Sequence, residues 1–414
     1  MQTVAQLDLP HLAMETQAFS ESPLGYFEQA RSKHPWLAIS KFGLVVTEYT
    51  AIRDLYRMDD KMRPSFDGIV ERLEARGTPW GRFTEEQLIA LPAEQHRLLR
   101  NAFASKFTPR FANTLRPMMR DTVTRLLDRW APKGEFDFEE FASYFPISVM
   151  FALVGAPADA LAGIRDDLEA IGLAMSLQKE RMPRINEGMV RLESFVEDLF
   201  AERAKNRRNE AVDLLDIIMD IGSIDGVTHR QLVDMVMFFF IAGYDTSKNV
   251  MTYTMYTLLS HPDIYESCGE NYEYCRKLIE EALRYFNPGT SFRFVDQDMV
   301  YRDVLLEKDT MLFFPLSVSG RDPGSFANAS VFDPDRAVDP GKRHIAFGLG
   351  KHMCLGQHIA RAQLEEAFHQ IPQRLKNPEL AGTFGWRPFY GTWGLKGLPI
   401  RFTPAEAPKQ QAGS

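Results

Sequence analysis

His344-Ile345-Ala346-Phe347-Gly348-Leu349-Gly350-Lys351-His352-Met353-Cys354-Leu355-Gly356 is the stretch on which the reading of this chain turns. Gly348 and Gly350 permit a tight turn and let the backbone come close to a flat ligand. Cys354 stands at the mouth of an amphipathic segment running from about Leu355 to Leu375, which predicts a helix. Free N–H groups and the positive end of the helix dipole at that point favour a thiolate over a thiol. A glycine-rich loop capping a helix, with one buried cysteine, would share the glycines but has no need of the full pattern.

Outward from this loop, the chain is a single unit of 414 residues, 45% hydrophobic and 25% charged, enough for a large core. A net charge of −8 gives no general attraction to nucleic acid or anionic lipid. The start, MQTVAQLDLPHLA, has neither the basic region nor the apolar run of a signal peptide. Leu232 to Gly243, the longest apolar stretch, contains Asp234 and is too short to span a bilayer. A cytoplasmic, monomeric protein is the expectation. Cys268, Cys275 and Cys354 are too few and too odd in number for a disulfide framework, and the first two read as packed thiols. Residues 1–18 read as a loosely ordered extension, 19–403 as one domain and 404–414 as a disordered tail.

Most of that domain has helical period. Residues 23–34 read as a first helix and 36–49 as a strand pair, while helices dominate 94–286, broken at Lys133-Gly134, Gly155-Ala156-Pro157 and Gly222 to Gly226. A long helix starts at the capping box of Thr228 with Gln231 and ends near His261-Pro262. Phe292–Val295 and Thr310–Leu316 read as strands. The fold class expected is α+β, predominantly α-helical, with small β-sheets.

The loop matches F-G-x-G-x-H-x-C-x-G at Phe347, Gly348, Gly350, His352, Cys354 and Gly356, and so resembles the haem-binding signature of the cytochromes P-450, the known instance of thiolate pushing electron density toward O–O cleavage. The resemblance covers roughly residues 20–403 and follows the soluble bacterial type. It implies a haem b held between the long helix and the Cys354 loop, with Cys354 as iron ligand. Ala242-Gly243-Tyr244-Asp245-Thr246-Ser247 on the long helix resembles the family's oxygen-activation motif, which implies room for O2 at Ala242 and Gly243, a hydroxyl at Thr246 and a proton-relaying acid at Asp245. The Glu281-x-x-Arg284 pair, with Arg336 from a later loop, resembles the family's structural lock. His96, Arg100, Arg293, His344 and His352 resemble its haem-propionate clamp.

What the resemblance implies about function is insertion of one O2 oxygen into an organic substrate, by hydroxylation or oxidative dealkylation. With no flavin module in the chain, electrons are expected from an iron–sulfur ferredoxin and an NAD(P)H-dependent ferredoxin reductase. Arg97, Arg100, Lys106, Arg110, Lys342, Arg343 and Lys351 flank the haem-contacting segments and suit an acidic ferredoxin. The alternatives are a peroxide-driven peroxygenase and a non-catalytic haem sensor. Segments near 60–95 and 165–190 are expected to set specificity. Helical spacing places Phe238 and Ile241 beside Ala242, and by resemblance Thr392 and Trp393 point into the same pocket. Together they suggest a small apolar or aromatic substrate. Arg72, Arg76 and Arg82, with Trp80 and Phe83 among them, are candidates for pairing with a substrate carboxylate.

Overall fold

The computed structural model describes residues 2–58, 60–64, 66–104, 107–206, 213–337 and 339–406. Helices predominate, and they stop where the sequence interrupts their period: Gly134, Gly155 and Gly226 take φ values of 68°, 64° and 86°. That left-handed backbone closes a turn without the Cβ clash other residues would meet.

At the centre lies the helix His229–Leu258. Its first turn is fixed by reciprocal bonds: Gln231 N donates to Thr228 Oγ1 at 3.2 Å and Thr228 N donates to Gln231 Oε1 at 2.9 Å. Thirty residues give it a length of about 45 Å, so it crosses the whole molecule. The next helix begins at Pro262. Against the central helix packs Phe138–Val154, which buries Phe138, Phe141, Phe145 and Phe151. The helix behind the Cys354 loop, Gln357–Arg374, packs on Pro109–Trp130. Its buried Glu365 and Glu366 accept from Arg116 at 2.6 and 3.2 Å.

The main sheet has six strands in the order His11–Leu12, Leu37–Ser40, Leu44–Val46, Met311–Pro315, Thr290–Val295, Met62–Arg63. Leu312 pairs with Leu44 in parallel and with Arg293 antiparallel. Two apolar cores result, one around the central helix and one beneath this sheet with Trp36, Tyr49 and Phe314.

The start of the chain departs from expectation. Residues 2–18, expected to belong to a loosely ordered extension, are tied down: Gln2–Thr3 pairs with Val304–Leu305, His11–Leu12 pairs with Ile39–Ser40, and Leu12 and Met14 are buried. Two-residue strands bond through their backbone, and two apolar anchors leave no periodic signal to read. Pro404 still belongs to a strand, and residues 407–414 lie outside the described residues. Among the described residues no helix is long and apolar enough to cross a membrane.

Candidate functional site

The Cys354 loop is held by its own backbone. Gly348 and Gly350 adopt φ of 68° and 72°, and Cys354 N donates to Phe347 O at 2.8 Å, so the chain doubles back over the cysteine. A Cβ on Gly348 would meet the Tyr56 ring at 3.3 Å. Asn287 Nδ2 donates to Ala346 O at 2.5 Å and anchors the loop from the side. Behind it, Arg284 grips both oxygens of Glu281 at 2.7 Å and donates to Gly320 O and Ala329 O at 2.6 and 2.9 Å. Arg336 Nε reaches Glu281 at 3.3 Å. Both members of the first pair are buried, so each charge depends on the other.

Between the loop and the central helix lies a cavity of about 450 Å³. One wall carries Phe347, Gly348, Cys354 and Gly356; the opposite wall carries Phe238, Ala242, Gly243 and Thr246. Cys354 has high surface exposure, but that surface is the cavity; ringed by protein, its thiol behaves as a buried group. Burial pushes it up, against the Gly356 and Gln357 N–H groups and the charges of Arg100 and Arg361, which favour the thiolate.

One edge of the cavity is cationic. His352 lines it, and both its ring nitrogens are buried without a protein hydrogen-bond partner. His96 sits behind, its ring centroid 4.4 Å from that of His352. Burial, then Arg293, His96, Lys351 and Arg100, hold His352 down to about 3. Arg293 lies over the Tyr56 ring at 4.8 Å, and Arg100 donates to Met353 O. Concentrated positive charge around unsatisfied ring nitrogens needs anionic oxygen as a partner. A flat apolar slot, a thiol on one wall and a cationic edge fit a haem b with its two propionates.

The central helix presents two faces. Phe238, Ala242 and Thr246, four apart, line the cavity, and Thr246 Oγ1 donates to Ala242 O at 2.8 Å. The far face is ionic. Arg387 donates to Asp245 Oδ2 at 3.0 Å and to Oδ1 at 2.5 Å. Lys248, with no exposed surface, donates to Glu139 at 2.8 Å and to Glu169 at 2.7 Å, and lies 3.6 Å from Asp245. Tyr244 OH also donates to Glu169. Burial pushes the Asp245 carboxyl up, but Arg387 and Lys248 outweigh it and hold it below its ordinary value.

Several expectations need correction. The proton-relay expectation for Asp245 is not among them: one residue from Thr246 is 100° around the helix, so its carboxylate lies on the ionic face, outside the cavity lining. The space left by Gly243 is taken: a Cβ there would meet Met150 Sδ at 3.0 Å. His344 is not in the cationic edge, because its Nε2 bonds Glu280 at 3.1 Å. Ile241 is rotated off the cavity. Trp393 is 1% exposed and packs on Trp386 and Phe286, its Nε1 donating to Ser20 O at 2.9 Å. Thr392 bonds the Asp245 carboxylate instead. Arg82 is clamped by Asp234 at 2.9 and 3.0 Å, Arg72 lies over Phe42, and Arg76 is within 3.8 Å of Glu71. None of the three lines the cavity, and Trp80 and Phe83 are core residues. Lys106 lies outside the described residues.

Leu88 and Ile89, in the wall, fall within the 60–95 segment expected to set specificity; reading the sequence missed Met150 and Leu153 in the wall, Asn287 at the loop, and Lys248 and Arg387 behind it. Only Lys248 carried a signal: a lysine three residues after an aspartate inside an apolar helix must be paired. Phe238 puts an aromatic ring on the same face of the central helix as Ala242 and Thr246, and is partly buried where Phe239 is packed in the core. Phe238→Ala is therefore expected to admit bulkier ligands and to weaken small-ring binding several-fold, read as spin-state shifts in a graded ligand series. Unchanged selection would remove Phe238 from the wall.

The family model described as Cytochrome P450 matches residues 173–378. A luteothin monooxygenase of Streptomyces thioluteus is 33% identical over 407 residues, covering 96% of this chain and 97% of that protein. Pentalenic acid synthase of Streptomyces avermitilis is 28% identical, covering 83% and 84%. Among solved structures, epothilone D-bound cytochrome P450epoK superposes with a TM-score of 0.85 at 22% identity, covering 95% of this chain and 99% of that one.

Proposed function

This chain belongs to the cytochrome P450 family and is an oxidoreductase of monooxygenase type, and from that premise we propose that it oxygenates a neutral, apolar organic molecule with electrons from a separate ferredoxin and its NAD(P)H-dependent reductase. The observation that carries the substrate class is the cavity wall. Leu88, Ile89, Met150, Leu153 and Phe238 line it, and Arg100, at the cationic edge, is the charged side chain among the lining residues. A carboxylate in the remainder would be buried without a partner. A ring-bearing molecule gains contact with the Phe238 face. Luteothin, the compound in the name of the 33%-identical relative, is a rational first trial compound.

Bound haem would supply reductive activation of O2 and the oxidation of a C–H bond. Cys354 would hold its iron, while Arg100, Arg293 and His352, backed by His96, would hold its propionates. The apolar wall orients substrate and excludes water. Thr246 Oγ1, fixed to Ala242 O, holds the proton-donating water on the cavity side. Asp245 is the acid on the other side of the same turn. It connects through Lys248 to Glu169, whose side chain is 34% exposed, and protons are replenished along that chain. Arg97, Arg110, Lys342 and Arg343 offer an acidic ferredoxin a basic approach. A monomer in the cytoplasm suits this assignment.

The test is reconstitution with a ferredoxin and an NADH-dependent reductase. Substrate-dependent NADH oxidation with an oxygenated product is expected. O2 binding without NADH consumption would overturn the reading in favour of a sensor. In Thr246→Ala, ligand binding should persist while most electrons leave as hydrogen peroxide. Wild-type coupling in that variant would move the proton-holding role to another group.

A further inference from the structure

Gly243 leaves a gap in the central helix, and the gap is filled by sulfur. A Cβ there would stand 3.0 Å from Met150 Sδ, 3.5 Å from its Cγ and 3.6 Å from its Cε. Met150 comes from the helix Phe138–Val154 and lines the cavity with Gly243 and Thr246. The residue is only 6% exposed, so such surface as it has belongs to the cavity wall. A second thioether in the lining, Met353, differs: it is 37% exposed and sits in the cysteine loop.

The geometry points to Met150 as an oxidation site that reports on peroxide inside the cavity. The inference rests on the monooxygenase reading for the source of that peroxide, which arises when reduced O2 leaves without oxidising substrate. The step is complete with hydrogen peroxide as oxidant. The sulfur lone pair attacks one peroxide oxygen, an S–O bond forms and the O–O bond breaks. The thioether is oxidised by two electrons to the sulfoxide, and the departing hydroxide takes the remaining proton to become water.

A sulfoxide cannot stay where the thioether was. Sδ already lies 3.0 Å from the position a Cβ would take, and the nearby helical backbone has its hydrogen bonds committed, so the new polar oxygen has no donor there. It must turn into the cavity, narrowing the space beside Ala242 and Thr246 and making an apolar wall polar. Unproductive turnover would thereby shut down the site that produced it.

The experiment treats the haem-loaded protein with hydrogen peroxide, quenches with catalase and follows each methionine by peptide mass, with and without 4-phenylimidazole filling the cavity. The expected result is a gain of one oxygen at Met150 at least tenfold faster than at Met119, Met189 and Met251, which have no exposed surface. The imidazole should protect Met150 and leave Met353 unprotected. Oxidation at Met150 no faster than at those buried methionines overturns the inference, as does failure of the imidazole to slow it. In Met150→Leu, close in volume, ligand affinity should survive a peroxide exposure that lowers it in the wild type. Equal loss in both proteins also overturns it. The spectral shift on imidazole binding separately reports the thiolate–haem site. Its absence would count against the functional reading, and the rate of Met150 against Met189 would still decide the inference.

Discussion

Replacing Cys354 by serine is expected to abolish the thiolate-type band of the reduced, CO-bound protein and turnover with it. Serine is nearly the same size, and the loop is shaped by backbone features that do not involve sulfur: the Cys354 N–Phe347 O bond and the left-handed glycines. The fold should therefore stay within about 1 kcal/mol of wild type. What changes is charge. The Gly356 and Gln357 N–H groups and the Arg100 and Arg361 guanidiniums favour an anion at this atom. A thiol that coordinates a metal gives up its proton outright, whereas a serine hydroxyl is a far weaker acid and a poorer ligand. An unchanged band in a properly folded variant would sink the ligand assignment.

Arg387→Met is expected to cost about 3–5 kcal/mol, because it strips the bidentate partner from a buried carboxylate. Asp245 is 3% exposed and Lys248, at 3.6 Å, already serves Glu139 and Glu169. Adding Asp245→Asn should recover much of the loss, since it removes the stranded charge. Urea midpoints of the two single variants and the double variant measure the coupling. The sign of the pH dependence follows from the carboxyl being depressed in the folded state. Its stabilisation is complete above about pH 4, the ordinary aspartate range, and is lost as acid protonates it below that. The gap between wild type and Arg387→Met should accordingly shrink below pH 4. A gap that stays constant from pH 3 to 7 would show that the pair is not the source of the difference.

Local pattern carried much of this in the sequence. The capping box at Thr228 and the Glu281/Arg284 spacing are short-range features, and each corresponds to bonds between neighbours in the chain. The cysteine loop is equally local. Helical spacing put Phe238 on the cavity face beside Ala242, and put Ile241 there too, where the structure does not; the same arithmetic turns Asp245 to the ionic face. What was illegible is set by distant partners. Arg387 meets Asp245 across 142 residues, and nothing near either residue announces the other. Trp393 was placed by analogy of a turn, yet a turn can aim its residues to either side. Here the indole is drawn outward by Ser20, 373 residues away. His344 was one of several basic residues near the loop, and only Glu280, on a separate helix, distinguishes it.

That clasp at Ser20 has a consequence in time. Ser20 Oγ accepts from Phe389 N at 3.1 Å and its carbonyl from the Trp393 indole, so an early helix is completed by nearly the last hairpin. Closing so long a loop costs roughly 5 kcal/mol of chain entropy beyond a constant. During synthesis at about 5–20 residues per second, the first partner waits on the order of tens of seconds for the second. For that interval Phe19 lacks the Phe389 ring that meets it edge-on at 4.9 Å. Cys354 leaves the ribosome shortly before the hairpin does. Haem capture and burial of the amino-terminal aromatics are therefore late steps, and a nascent chain stalled before residue 389 would expose both an open slot and an aromatic cluster to chaperones.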